Sequence, residues 1–183
     1  MTIYVKDLLS KKSSKTSSDL LTRPVGKKYY QSAEKKLSAA MKGEVVILDF
    51  QDIKVIDPSF ADEFVIKIVK LSHSNDFYVR LRNLTKSAQS NISAIIDSYT
   101  DFANKDYAVA VEDILDNGTH FLGNIGLQEK EIAEFLRINK TASTKAISDN
   151  FSFTESKTEN CLKKLENLRI IRTDDTGKYF SVL

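Results

Sequence analysis

Cysteine appears once and histidine twice in 183 residues. A single cysteine excludes an internal disulfide framework and any multi-cysteine zinc site. Two histidines leave little for a metal centre or for histidine-dependent catalysis. There are only two prolines and six glycines, so breakers are few and long regular elements are expected. No run approaches the roughly 18–20 apolar residues of a membrane helix. The start, Met1 to Asp7, lacks the apolar stretch of a signal peptide. The expected compartment is therefore the cytoplasm, with no membrane partner. A dominant charge sign is missing too: 27 Lys/Arg stand against 25 Asp/Glu, a net charge of +2. That excludes polycationic binding of nucleic acid but leaves room for a local basic patch.

The charge that is present is unevenly spread. Residues 1–50 hold ten Lys/Arg against five Asp/Glu, whereas residues 126–183 hold ten against nine. Ser10 to Ser18 is rich in Lys and Ser and reads as a solvated loop or an anion-contacting arm. Ile3-Tyr4-Val5 reads as a short strand. Thr22-Arg23-Pro24 opens a helix, with Pro24 near its first position. Val45 to Phe50 is nearly continuous and β-branched, which predicts a buried central strand. Ile53, Val55 and Ile56 extend or follow it. Asp57-Pro58-Ser59 starts a helix whose apolar stripe is Phe60, Ala61, Phe64, Val65, Ile68 and Leu71. Asp62, Glu63, Lys67 and Lys70 fall largely off that stripe. Phe77 to Arg82 alternates as a strand, and Ala88, Ile92, Ile95, Ile96 and Tyr99 line another helix.

This β-α-β-α-β-α order implies an α/β domain, a mixed sheet with crossover helices, over residues 1–100. Residues 101–125 read as an acidic joining region broken at Asn117-Gly118 and at Gly123 to Gly126. Within it, Tyr107 to Val111 is a strand or half a helix. Residues 126–183 predict a small α+β domain of three helices and a closing hairpin around Thr173 to Gly177. In its third helix Thr154 can cap, and Thr158, Cys161, Leu162, Leu165 and Leu168 face inward. Cys161 therefore reads as a core residue.

Two resemblances rest on these stretches. Val45 to Phe50 followed by Ile53 to Phe64, and above all Ser59-Phe60-Ala61-Asp62-Glu63, resembles the STAS superfamily of anti-sigma-factor antagonists. The nearest pattern is a STAS-like family of unknown function, over about residues 20–100. That resemblance implies protein–protein signalling with a GHKL-type ATPase or kinase, and no catalysis. It places the regulatory phosphoserine of partner-switching antagonists on Ser59 and their turn aspartate on Asp57. Pro58 and Phe60 depart from the family's Ser and Gly. Thr141 to Ser148, then Phe153 to Ile171 and the hairpin ending Gly177-Lys178-Tyr179-Phe180, resembles winged helix-turn-helix transcription regulators.

Candidate contacts follow. Ser156, Lys157, Asn160 and Lys163 face outward from the third helix and can meet bases or phosphates of double-stranded DNA, while Arg172 and Lys178 flank the hairpin. Glu155, Glu159, Asp174 and Asp175 oppose that reading, so a homodimer or the basic N-terminal region would have to add affinity. For Asp57, Ser59 and Asp62, helix capping stands beside phosphorylation and partner binding. Arg23, Lys27 and Lys28 form a weaker anion-contact candidate. No catalytic constellation, nucleotide fingerprint or metal motif stands out, so no enzyme activity, metal or cofactor is expected.

Overall fold

A computed structural model describes residues 1–9, 18–113 and 118–183. Ser10 to Ser17 of the Lys/Ser-rich stretch, and Asn117 of the Asn-Gly break, lie outside the described residues. The chain begins with β1 (Thr2–Tyr4), a 3-10 turn, and β2 (Asp19–Leu20). Next comes α1 (Arg23–Leu37), with Pro24 in its first turn, where the missing N–H costs nothing. β3 (Val45–Asp49) and β4 (Val55–Ile56) follow. One helical run then covers three segments: α2 (Pro58–Ala61), a π-helical stretch Asp62–Ile66, and α3 (Lys67–Asn75). β5 (Tyr78–Arg82) leads to α4 (Lys86–Ala103), which Thr85 caps by accepting from the Ala88 amide. β6 (Ala108–Asp113) and β7 (Gly118–Gly123) form the next pair. The remainder is α5 (Leu127–Asn139), β8 (Thr141–Ala142), α6 (Thr144–Phe151), α7 (Glu155–Asn167), β9 (Ile171–Thr173) and β10 (Tyr179–Ser181).

The principal sheet is mixed and has five strands in the order β1-β3-β5-β6-β7. The first four are parallel, and β7 runs antiparallel to β6 with Val109 opposite Leu122. β3 was expected to be the central strand; it is an interior one, paired on both sides with β1 and β5, while β5 takes the middle position. Ile53, Val55 and Ile56 do not extend β3. The chain turns at Phe50, where the Ile53 amide donates to the Phe50 carbonyl, and β4 instead pairs with β2 in a separate parallel ribbon. A third sheet, β8-β10-β9, is antiparallel.

Residues 101–125 were expected to join two domains, but they hold the end of α4 and two strands of the principal sheet. The reason lies in the alternation along β6. Tyr107, Val109 and Val111 point into the core beneath the helices, together with Leu122. Ala108 points the other way, into a second core made by Ile125, Ile132, Leu136, Ile147, Leu162, Leu165 and Ile171, with Phe121 packed against it. A strand buried on both faces has no polar alternation, which is why Tyr107 to Val111 was ambiguous in sequence. The two cores therefore share β6 and β7.

Arginines fasten the C-terminal unit to the second face of the sheet. Arg80 on β5 donates to the Val182 carbonyl. Arg169 lies over the Tyr78 ring, 4.6 Å from its centroid, and donates to the Asp76 carboxylate at 2.7 Å and to the Ser72 carbonyl at 3.0 Å. Among the described residues no helix is long and apolar enough to cross a membrane.

Candidate functional site

Two groups of sequence-predicted residues occupy different parts of the fold. The first surrounds the start of α2. Asp57 is its N-cap: one carboxylate oxygen accepts from the Phe60 amide at 2.6 Å. The other accepts from the Thr22 amide at 2.9 Å, so one side chain ties together the starts of α1 and α2. Pairing of β2 with β4 makes this possible by bringing Leu20 beside Ile56. Ser59 is half-buried in the first turn and is not the cap.

Asp62 turns away from Ser59's capping role and into a polar network. It accepts from the Arg23 guanidinium at 2.6 Å and from the Tyr99 hydroxyl at 2.7 Å. Burial pushes its carboxyl pKa up, but the Tyr99 and Arg23 contacts outweigh that and hold it below the usual range. Burial and the same Asp62 contact push Tyr99 up to about 12. Arg23 is therefore engaged by Asp62 and, at 3.4 Å, by Glu63, rather than free for an external anion. Lys27 and Lys28 remain exposed on α1.

Glu63 was expected off the apolar stripe, but it is only 6% exposed. The π-helical stretch accounts for this. Its wider turn buries Glu63, Phe64, Val65 and Ile66 in succession. Gly26 lets α1 approach so closely that a Cβ there would stand 2.9 Å from the Glu63 Cβ. Lys67 and Arg23 supply the opposite charges. Neither the π stretch nor the Asp62–Tyr99 contact, which spans 37 residues, left a signal in local periodicity.

The second group lies on α7 and the hairpin. α6 is capped by Ser143 and ends at Ser152, in a left-handed conformation at φ 52°. Phe153 and Thr154 complete a short turn, and Thr154 caps α7 by accepting from the Lys157 amide at 3.3 Å. Buried Thr158 locks the two helices: Ser148 donates to its hydroxyl at 2.9 Å, and it donates to the Thr154 carbonyl. Cys161, Leu162 and Leu165 face the core with it, as expected. Burial, with Glu129 nearby, pushes the Cys161 thiol up, consistent with an inert core residue.

Ser156, Lys157, Asn160 and Lys163 are all exposed, and Ser156, Asn160 and Lys163 share one face at helical spacing. The Lys157 ammonium sits 4.0 Å from the centre of the Phe153 ring. Lys164, one position on, pairs instead with Glu129 at 3.5 Å. On the hairpin, Arg172 donates to the Gly43 carbonyl at 3.2 Å and Lys178 is exposed beside the Asp174 turn. Arg172 thus reaches the first unit as well as solvent. Among the described residues no group of His, Cys, Asp and Glu could hold a metal ion.

The family model of a STAS-like domain of unknown function matches residues 26–88, from α1 to the first turn of α4. That span is about a third of the chain, and the mixed sheet with its helices is consistent with such a domain. The match points to a regulatory or protein-interaction role for this part. No curated protein matches the chain.

Proposed function

We propose that the protein is a non-enzymatic transcriptional regulator. In this reading residues 126–183 form a winged helix-turn-helix that contacts double-stranded DNA, and the STAS-like part receives a protein partner or dimerises. The observation that carries it is the outward side of α7. Ser156, Lys157, Asn160 and Lys163 are exposed together on a helix whose cap, turn and inner face are fixed. A helix held this way behind a three-residue turn can enter a major groove and present its N-terminal half to base edges. Lys163 suits phosphate, whereas Ser156 and Asn160 suit base edges. Arg172 and Lys178 suit the backbone beside the groove.

In the STAS-like part, the start of α2 is the proposed partner surface. A phosphate on Ser59 would stand beside the Asp57 carboxylate, which already takes the Phe60 amide, so its effect there is repulsion of an acidic or closely packed partner. A GHKL-type ATPase or kinase is the partner class that the STAS resemblance suggests.

The DNA reading is tested by fluorescence anisotropy with a mixed-sequence duplex at low salt. Wild type is expected to bind, and Lys157→Glu combined with Lys163→Glu is expected to lose most of that binding while keeping its circular dichroism. Equal binding by the folded double variant rejects α7 as the contact.

A further inference from the structure

Thr22, the residue that precedes α1, adopts φ 71° and ψ 146°. That pair borders a region of backbone space that essentially only glycine occupies, and a β-branched residue there is strained. The threonine side chain does not offset the strain, since it is exposed and caps nothing. The surrounding chain must hold this shape.

Its ties run to the start of α2. The Thr22 amide donates to Asp57 Oδ2 at 2.9 Å, and the Asp57 amide donates to the Leu20 carbonyl at 3.1 Å. One residue on, Arg23 donates to Asp62 at 2.6 Å. The β2–β4 ribbon beside them pairs only Asp19 with Val55 and Leu20 with Ile56. An isolated two-stranded ribbon is marginal at best, so this short one depends on the Asp57 contacts. The Asp57 carboxylate is also shared, because its Oδ1 takes the Phe60 amide at 2.6 Å.

Ser59 stands two residues past Asp57, half-buried in the first turn of α2. A phosphate there adds a charge of about −1.5 to −2 beside the carboxylate that holds Thr22. Like charges in a partly buried site repel strongly. Arg23 is engaged by Asp62 and Glu63 rather than free to neutralise the added charge. The strain at Thr22 acts in the same direction, because it is relieved once the Asp57 contact breaks. Opening uncovers Leu20, 1% exposed while β2 is paired, next to Leu21, already 42% exposed.

We infer that the Thr22–Asp57 contact is a strained latch on β2 and on the entry to α1, and that negative charge on Ser59 opens it. This rests on the reading of Ser59 as a regulated residue and deepens it: the face around the start of α2 is ordered for a partner only while Ser59 is uncharged.

The test is amide hydrogen exchange, read by NMR on the full chain and corrected for intrinsic rates. It compares wild type with Ser59→Glu, Ser59→Gln and Thr22→Gly. Ser59→Gln brings the bulk of glutamate without its charge. Ser59→Glu is expected to speed exchange of the Thr22 and Asp57 amides by about tenfold, while Ser59→Gln, and the amides of β3 and β5 in every variant, stay near wild type. Thr22→Gly is expected to slow exchange at positions 22 and 57 by about tenfold, because glycine takes this conformation without strain. Equal exchange in Ser59→Glu and Ser59→Gln overturns the inference, and so does a Thr22→Gly variant that exchanges no more slowly than wild type. The measurement needs neither kinase nor partner, so rejection of the latch leaves the partner surface standing. A latch that responds to Ser59→Glu, in a protein whose Ser59 carries no phosphate when isolated from its own cells, removes the regulatory reading and keeps the latch.

Discussion

His73 lies edge-on to the Tyr107 ring with centroids 5.8 Å apart, and its Nε2 is buried without a hydrogen-bond partner among the described residues. Burial, reinforced by the positive charges of Arg169 and Lys105, pushes its pKa down to about 4. In the unfolded chain the same imidazole titrates near 6.5. Between those values the unfolded state binds more protons than the folded one, so stability falls as pH falls through 6.5 and the loss levels off near 4. For one group the loss between pH 7 and pH 5 is roughly 1–2 kcal/mol. His73→Phe is expected to flatten that part of the profile, read from urea midpoints at both pH values. A variant that declines from pH 7 to pH 5 as steeply as wild type would show that other groups set the acid response.

At the scale of elements, the start of α2 separates capping from signalling. Asp57 binds two backbone amides, Phe60's and Thr22's, so it holds the entry to two helices. Asp57→Ala is expected to cost about 1–2 kcal/mol. Ser59 does not cap, and Ser59→Ala is expected to change stability by less than about 0.5 kcal/mol. Chemical denaturation of the two variants reads the difference. Equal losses would make Ser59 a structural residue and remove the reason for assigning it to regulation. The Asp-Pro start was legible in sequence because capping is local, and so were α6, α7 and the inward side of α7, which helical spacing dictates. The π stretch and buried Glu63 were not legible. Glu63 is covered by the close approach of α1 at Gly26, a contact between segments almost 40 residues apart in the chain.

For the whole molecule, the sequence misled at the joint. An acidic, glycine-broken segment looked like a linker, and only the sheet reveals that Tyr107 to Val111 is buried between two cores. The two units are consequently connected by shared strands and by Arg80 and Arg169, as well as by chain continuity. Arg172, expected to flank the hairpin and grip a DNA backbone, also donates to the Gly43 carbonyl of the first unit.

The central claim is that the outward side of α7 meets DNA. An amide NMR titration of the full chain with a mixed-sequence duplex tests it most directly, because each residue reports its own surroundings. The account predicts concentrated shifts at Ser156, Lys157, Asn160 and Lys163, with smaller ones at Arg172 and Lys178. Saturating duplex that leaves α7 unmoved, or a spectrum with no shifts at all, would contradict it.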